Sequence, residues 1–160
     1  MMIKNRLRDM LLAFGIKTMT PTKNLLDGKL GGMTPHRFNQ ILNNEIHQNG
    51  NPASTSVYGQ DGVYSGENTR NTVYRGNYIH DNGRTGSNLD HGLYLCGDNE
   101  LVINNVLLRN AAYGLHIAGY TTVSNMKVYN NVIAHNGRSG IVVWMAVSGT
   151  LSSLTATLPA

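Results

Sequence analysis

The sequence is short of cysteine, charge and long hydrophobic runs. Its 160 residues include one cysteine, Cys96, so neither an intrachain disulfide nor a cysteine-based metal site can form. No apolar run approaches the roughly 18 residues of a membrane-spanning helix, and no membrane span is predicted. Residues 10–16 are apolar and follow basic residues, but Lys17 ends that run, so no clear signal peptide is predicted. Charged residues make up 14% of the chain and hydrophobic residues 41%, which excludes the disordered class.

Positive charge is unevenly distributed along the chain. The formal net charge is +4, of which residues 1–40 contribute +5 and the remainder −1. The body of the protein therefore offers no general surface for polyanions, and nucleic acid is not an expected partner.

Asparagine and glycine are abundant, and the asparagines recur in register. Four segments align: ILNNEIHQNG, YRGNYIHDNG, VINNVLLRNA and VYNNVIAHNG. The first asparagine of each is separated from the next by 33, 28 and 26 residues, and a second series keeps the same spacings. The first series is Asn44, Asn77, Asn105 and Asn131, and the second is Asn49, Asn82, Asn110 and Asn136. An aliphatic residue lies between the two asparagines of each segment. Such a repeat predicts stacked coils.

A second pattern follows each asparagine segment. The stretches DGVYSG, HGLYLCG, YGLHIAG and SGIVVW alternate between apolar and other residues after a glycine, which predicts short strands with one buried face. Coils that stack at about 4.8 Å bring equivalent asparagines into a hydrogen-bonded ladder, and asparagine also tolerates the left-handed backbone of a tight bend. The predicted fold is all-β, a right-handed parallel β-helix of about four coils over residues 38–144, with an N-terminal helical cap.

These motifs resemble the right-handed parallel β-helix repeats of the pectin-lyase-like superfamily. The resemblance covers roughly residues 38–144 and implies that the first asparagine series lies at the bend between the second and third sheets. It also implies that the glycine-initiated strands form the first sheet, which lines the carbohydrate groove in enzymes of the superfamily. An extracellular or cell-surface location is a further implication, and Ca²⁺ is the one cofactor that the resemblance brings into consideration. The calcium-carboxylate and catalytic-arginine motifs of pectate lyases are not evident in this sequence.

The two ends of the chain depart from the repeat. Within residues 1–37, Leu7, Leu11 and Phe14 share one helical face, which favours a helix that caps the open end of the solenoid. The alternative is a small helix-turn-helix, which requires a helix over residues 38–45. Residues 145–160 contain neither charge nor asparagine and are expected to form an irregular tail. A fragment of a longer solenoid, able to associate through its open ends, is an alternative reading.

Strand alternation assigns candidate functional residues to one outward face. The inward positions are predicted to be Leu93 and Leu95, Leu115 and Ile117, and Ile141 and Val143. The outward column beside them is then Tyr64, Tyr94, His116 and Val142, with about 5 Å between neighbours. Asp90 precedes Tyr94 by four residues, and Arg138 holds the place of Asp90 two coils later. An aromatic column can stack against sugar rings, and Asp, His and Tyr supply acid–base groups.

From this pattern Asp90, Tyr94 and His116 are the candidate catalytic residues. The candidate substrate-binding residues are Tyr64, Tyr94, His116 and Arg138, with Arg138 as a partner for a substrate carboxylate. No metal ligands are assigned.

Other side chains are expected to be structural. His47 and His80 occupy equivalent places and should stack on the surface of another sheet. A contact between Asp61 and His91 across coils is predicted, and Cys96 belongs to a column of small residues. Arg109 and His135 lie at turns, where they are expected to cap backbone carbonyl groups.

Two functions compete at this point. The first is a polysaccharide-binding β-helix domain with lyase or epimerase chemistry on uronate-containing glycans. The second is a non-catalytic structural or adhesive module of a phage or cell surface. Gathering of Asp90, Tyr94, His116 and a basic residue around one groove would favour an enzyme.

Overall fold

Short β-strands make up all the regular structure that can be described. The computed structural model describes residues 25–26, 36–120, 122–146, 149–151 and 153–157. In chain order the strands are β1 (Leu25–Leu26), β2 (His36–Arg37), β3 (Gln40–Leu42), β4 (Glu45–His47), β5 (Val63–Ser65), β6 (Thr69–Arg70), β7 (Val73–Arg75), β8 (Tyr78–His80), β9 (Leu93–Leu95), β10 (Leu101–Ile103), β11 (Val106–Leu108), β12 (Leu115–Gly119), β13 (Thr122–Val123), β14 (Met126–Tyr129), β15 (Val132–Ala134), β16 (Ile141–Met145), β17 (Thr150–Leu151) and β18 (Leu154–Thr157).

The strands form three parallel sheets that run the length of the molecule. The first sheet has the order β1-β5-β9-β12-β16, the second β18-β14-β10-β7-β3 and the third β15-β11-β8-β4. Two short pairs, β2 with β6 and β13 with β17, lie between the main sheets. Because each strand pairs in parallel with its equivalent in the next coil, the chain winds as a parallel β-helix, as predicted.

About three complete turns are present, where about four coils were predicted. The three turns contain the strands β5–β8, β9–β11 and β12–β15, and further strands extend the sheets at both ends. The number of turns is smaller than the number of motifs because each asparagine motif marks one bend. Four such bends enclose three complete turns between them.

The interior is a continuous stack of aliphatic side chains. Each three-residue strand of the first sheet buries its outer residues and turns the middle one outward, so that β5 and β9 share this pattern. Leu93, Leu95, Leu115 and Ile117 are fully buried, in agreement with the inward positions predicted for them. Val143 in β16 was predicted to point inward but is 41% exposed, because few described residues lie beyond that last strand.

Both predicted asparagine ladders are present. In the first, side-chain amides link Asn44 to Asn77, Asn77 to Asn105 and Asn105 to Asn131 at 3.1, 2.9 and 3.0 Å. The second ladder repeats this arrangement from Asn49 to Asn136. The first ladder lies between the second and third sheets, where the resemblance placed it.

The residue before each ladder position has the left-handed backbone conformation. Each bend contributes one column of such residues: Phe38, Asn71, Asn99 and Asn125; Asn43, Gly76, Asn104 and Asn130; and Gln48, Asp81, Arg109 and His135. The ladder asparagines themselves have no positive φ angle, so the left-handed conformation that asparagine tolerates falls on the residue before each of them. The division of labour follows from geometry, because an exposed residue turns the chain and the next one directs its amide inward.

Two predictions about the ends can be compared with these strands. A helix over residues 38–45 is wrong, because β3 and β4 belong to the second and third sheets. The prediction of an irregular tail is also wrong for residues 154–157, since β18 pairs with β14 over four residues.

The expected helical cap lies outside the described residues. No described residue is helical, so no helix in that part of the chain could cross a membrane.

Candidate functional site

The predicted outward column lies on the first sheet. Tyr64 pairs with Tyr94, Tyr94 with His116 and His116 with Val142 in the strand register. The ring centroids of Tyr64 and Tyr94 are 5.3 Å apart, and those of Tyr94 and His116 are 4.7 Å apart. The side chains are half-buried, because neighbouring rings cover part of each one. The structure thus brings the three predicted aromatic residues together on one face.

Two further aromatic side chains extend this face. The hydroxyl of Tyr120 lies 3.5 Å from that of Tyr94, and its ring is 5.5 Å from the ring of Trp144. Tyr120 is 49% exposed and Trp144 is 46% exposed. We call Tyr64, Tyr94, His116, Tyr120 and Trp144 the aromatic face.

His91 lies beneath the aromatic face and contacts His116. Its Nε2 atom is 3.0 Å from Nδ1 of His116, and its Nδ1 atom accepts the backbone N–H of Tyr113 at 3.4 Å. The predicted contact between Asp61 and His91 is also present, but it is made by the backbone N–H of His91, which donates to Asp61 Oδ1 at 2.7 Å. Asp61 therefore fixes the turn and leaves the imidazole to the histidine pair.

Burial keeps both imidazoles of the pair neutral. Desolvation, together with the nearby His116, lowers the pKa of His91 to about 3. Desolvation also lowers the pKa of His116 to about 4. Burial and the hydrogen bond with Tyr120 raise the pKa of the Tyr94 hydroxyl above its ordinary value. At neutral pH His91, His116 and Tyr94 are therefore uncharged.

Asp90 does not border the aromatic face as an available carboxylate. Its side chain is fully buried and accepts hydrogen bonds from the guanidinium of Arg84, the backbone N–H of Arg84 and the backbone N–H of Gln60. Burial alone would raise the pKa of Asp90, but these donors hold it at about 2. The predicted exposed position of Asp90 is wrong, because strand alternation does not indicate that Arg84 binds the carboxylate.

Arg84 joins two loops at one edge of the first sheet. Besides Asp90, its guanidinium binds the backbone carbonyls of Ser54, Ser56 and Tyr58 at 3.3, 2.8 and 3.2 Å. The loop over residues 51–60 is thereby tied to the loop over residues 84–90. Tyr58 lies on the outside of this double loop and is 74% exposed. We call the two loops the braced loops.

Arg138 lies at the same edge as Asp90. The backbone N–H of Ala112 donates to the carbonyl of Asp90, and the N–H of Arg138 donates to the carbonyl of Ala112, so the predicted column is present. The exposed Arg138 side chain donates from Nε to Asn88 Oδ1 at 2.7 Å. It therefore lies beside the braced loops.

The predicted pair of histidines on the third sheet is present as a stack. The rings of His47 and His80 are 5.1 Å apart and nearly parallel. His80 is largely buried, and its two ring nitrogens lie against the carboxylates of Glu45 and Asp81. The cluster is on a different face from the aromatic face.

The turn residues Arg109 and His135 were expected to cap carbonyl groups. Both have the left-handed backbone conformation, with φ angles of 49° and 55°. The Arg109 guanidinium binds Asp81 at 2.8 Å and the Tyr78 hydroxyl at 3.1 Å. The predicted capping role of Arg109 is therefore wrong, because the Arg109 guanidinium contacts side chains and not backbone carbonyl groups.

Cys96 packs as predicted, and the carboxylates do not assemble a calcium site. The Cys96 thiol is buried, which raises its pKa to about 12. Among the described residues, no three His, Cys, Asp or Glu side chains are grouped to hold a metal ion. Asp61 and Asp90, which lie beside His91, accept hydrogen bonds from N–H donors. These residues do not fit the Ca²⁺ that the resemblance brought into consideration.

Sequence reasoning missed Tyr120, Trp144 and Arg84. Trp144 follows the outward Val142 by two residues, so strand alternation carried a signal for it. Tyr120 follows the last residue of β12, and its contact with Tyr94 depends on a bend that strand alternation does not predict. Arg84 acts through three backbone carbonyls, and such contacts leave no trace in residue types.

Comparison with known proteins gives one result. No curated protein and no solved structure showed a significant match to the chain. The family model described as the right-handed β-helix region matches residues 32–156, which include the three complete turns described above. On this match and on the parallel coils described above, the chain belongs to the right-handed β-helix family.

Proposed function

We propose that the aromatic face of the first sheet binds a polysaccharide. The observation that carries this proposal is the continuous run of rings from Tyr64 through Tyr94 to His116, extended by Tyr120 and Trp144. Rings in such a run bury the apolar faces of sugars at little entropic cost, because aromatic side chains have few rotatable bonds.

The electrostatics of the face bear on which glycans it accepts. The face contains no Asp, Glu, Lys or Arg, and the exposed Arg138 lies at one edge of the same sheet, beside the braced loops. A neutral sugar stacks on the rings, and a uronate adds one ion pair with Arg138. We therefore propose uronate-containing glycans as the preferred class.

Binding is better supported than turnover. A lyase or epimerase needs a base facing the sugar and a group that offsets the substrate carboxylate. Asp90 is committed to Arg84, and His116 is already bonded to His91. The proposal is therefore a glycan-binding domain, and the catalytic roles assigned to Asp90, Tyr94 and His116 remain predictions.

The test is a binding measurement with matched tyrosine variants. Titration calorimetry with a galacturonate hexamer, a mannuronate hexamer and cellohexaose should reveal at least one ligand. Tyr94→Ala should raise its Kd about tenfold, since one stacked ring contributes about 1–2 kcal/mol. Tyr129→Ala removes an equally half-exposed tyrosine from the second sheet, and His47→Ala alters the third sheet, so both should bind normally.

The outcome can reject the proposal clearly. Absence of binding by the whole panel, or equal effects of Tyr94→Ala and Tyr129→Ala, would favour the structural or adhesive module. Release of shortened or unsaturated products from the hexamers, lost in His116→Ala, would restore the enzyme prediction.

A further inference from the structure

The hydrogen bonds around His91 fix the position of a proton on His116. A backbone N–H can only donate, so the N–H of Tyr113 requires Nδ1 of His91 to be unprotonated. A neutral His91 must then carry its proton on Nε2. That proton points to Nδ1 of His116, 3.0 Å away, which accepts it.

The other nitrogen of His116 completes the chain. Because Nδ1 accepts, the single proton of a neutral His116 lies on Nε2. Within the described part of the chain, this atom is buried and has no hydrogen-bond partner. A buried donor without a partner is costly, so an acceptor that reaches it gains binding energy.

Resting on the proposed function, we infer that His91 is a positioning residue that makes His116 a hydrogen-bond donor to a glycan oxygen. The donor is Nε2–H of His116, and the acceptor is a hydroxyl, ring or carboxylate oxygen of a sugar stacked on the aromatic face. Because Nε2 is covered in the free protein, the acceptor reaches it when a neighbouring side chain rotates aside, which is a rapid event for surface side chains.

The inference distinguishes a donor from a base. Had His91 carried its proton on Nδ1, it would have accepted from His116, and Nε2 of His116 would have offered a lone pair to substrate. The Tyr113 N–H blocks that arrangement, because two donors would face each other. His116 therefore recognises an acceptor and does not withdraw a proton through Nε2.

Protonation of the pair is opposed by the same contact. A proton added to either ring leaves His91 with N–H at Nδ1, against the N–H of Tyr113. Burial lowers both pKa values in addition, to about 3 for His91 and about 4 for His116. The titratable groups facing the pair are Tyr94 and Tyr113, at ring distances of 5.4 and 5.2 Å from His91, and the carboxylates of Asp61 and Asp90.

The direct test reads the proton positions in the unmodified protein. Long-range ¹H–¹⁵N correlation spectra of the histidine rings, assigned with His91→Phe and His116→Phe, should show both residues as neutral Nε2–H tautomers at pH 7. Neither should take up a proton between pH 8 and pH 5, whereas an ordinary histidine titrates near 6.5. An Nδ1–H tautomer of His116, or titration of either ring above pH 5, would overturn the inference.

A binding arm tests the positioning role. His91→Gln keeps an N–H that can donate to His116, while His91→Phe keeps the ring shape without nitrogen. Loss of one hydrogen bond corresponds to a rise in Kd of roughly fivefold to tenfold. His91→Phe should therefore raise the Kd for the galacturonate hexamer by that factor, whereas His91→Gln should raise it by less than about threefold. Equal weakening by both variants would overturn the inference.

The two proposals fail in different ways. Expected tautomers without binding of any hexamer would reject the proposed function and leave the proton arrangement in place. Binding that depends on Tyr94, combined with the wrong His116 tautomer, would reject the positioning role alone.

Discussion

Glu100 is a carboxyl group inside the solenoid. It occupies the inward position after Asn99 at the bend between the first and second sheets, where the equivalent residue one coil earlier is Thr72. The side chain is fully buried, and its Oε1 atom accepts hydrogen bonds from the hydroxyls of Ser65 and Tyr74. Burial outweighs these bonds and raises the pKa of Glu100 to about 7.

This pKa predicts a specific dependence of stability on pH. Below pH 4.5 the carboxyl is protonated in both folded and unfolded chains. Between pH 4.5 and 7 the unfolded chain releases the proton and the folded chain holds it, so stability falls, by about 3 kcal/mol in total. Glu100→Gln should remove this fall, which gives a variant more stable than the parent at pH 8 and similar to it at pH 4.5.

Urea unfolding at both pH values measures the effect. Titration of Asp81 and Asp90 does not contribute to the stability difference between variant and parent, because their pKa values of about 2 lie below this pH range. Glu67→Gln makes the same change at an exposed site and should leave the profile unaltered. An equal gain from Glu100→Gln at both pH values would contradict the prediction.

At the same scale, the asparagine pairs show what a repeat can and cannot tell. The register of Asn44 with Ile46 in four copies predicted the buried ladder, because few other structures require that spacing. The role of the preceding residue stayed hidden, since Asn, Gly, Asp, Gln, Arg and His all occupy left-handed positions here. A backbone requirement that so many residue types meet leaves a weak signal.

At the scale of elements, the braced loops depend on one buried ion pair. The side chain of Arg84 is 15% exposed and that of Asp90 is fully buried, while the similar pair of Arg109 and Asp81 is 48% and 41% exposed. Removing one partner of a buried pair leaves an uncompensated charge, whereas exposed pairs contribute little. The two pairs therefore offer a matched comparison within one chain.

Arg84→Ala should destabilise the fold by about 2 kcal/mol and free the loop over residues 51–60. Hydrogen exchange should accelerate at the amide of Gln60, which donates to Asp90. Arg109→Ala should change neither stability nor exchange in that loop. Unchanged exchange at residues 51–60 in Arg84→Ala would show that the loop is held by other contacts.

The aromatic face was predictable only where strands are regular. Alternation placed Tyr64, Tyr94 and His116 on one surface because they hold equivalent positions in three strands. Asp90 lies outside the strands, and there the loop contacts of Arg84 decide its direction. Sequence patterns fix faces within strands and lose that power at the first residue beyond them.

At the scale of the whole molecule, the solenoid is a stack in which each coil contacts only its neighbours. Stability in such a molecule is close to a sum over coils and their interfaces. The position of a residue along the stack then matters as much as its type. Asn105 lies between two coils of the first ladder, and Asn44 lies at one end of the four described members.

Asn105→Ala should therefore cost more stability than Asn44→Ala. Asn105 is buried, donates to Asn131 and to the carbonyl of Tyr74, and accepts from the backbone and side chain of Asn77. Its loss leaves buried partners on both sides unsatisfied, at about 3 kcal/mol. The half-buried Asn44 should cost about 1 kcal/mol, since the one described hydrogen bond of its side chain runs to Asn77.

The midpoint of urea unfolding distinguishes these values, provided that the slope with denaturant is shared. The second ladder supplies an internal repeat of the experiment, because Asn110 is buried within it and Asn49 is half-buried at its start. Asn110→Ala should lower the free energy of unfolding by more than Asn49→Ala does, as for the first ladder. A ladder that passes hydrogen bonds from coil to coil must contribute most to stability where it has coils on both sides. Equal losses of unfolding free energy at the centre and the start of both ladders would therefore mean that coils are not stabilised through their neighbours.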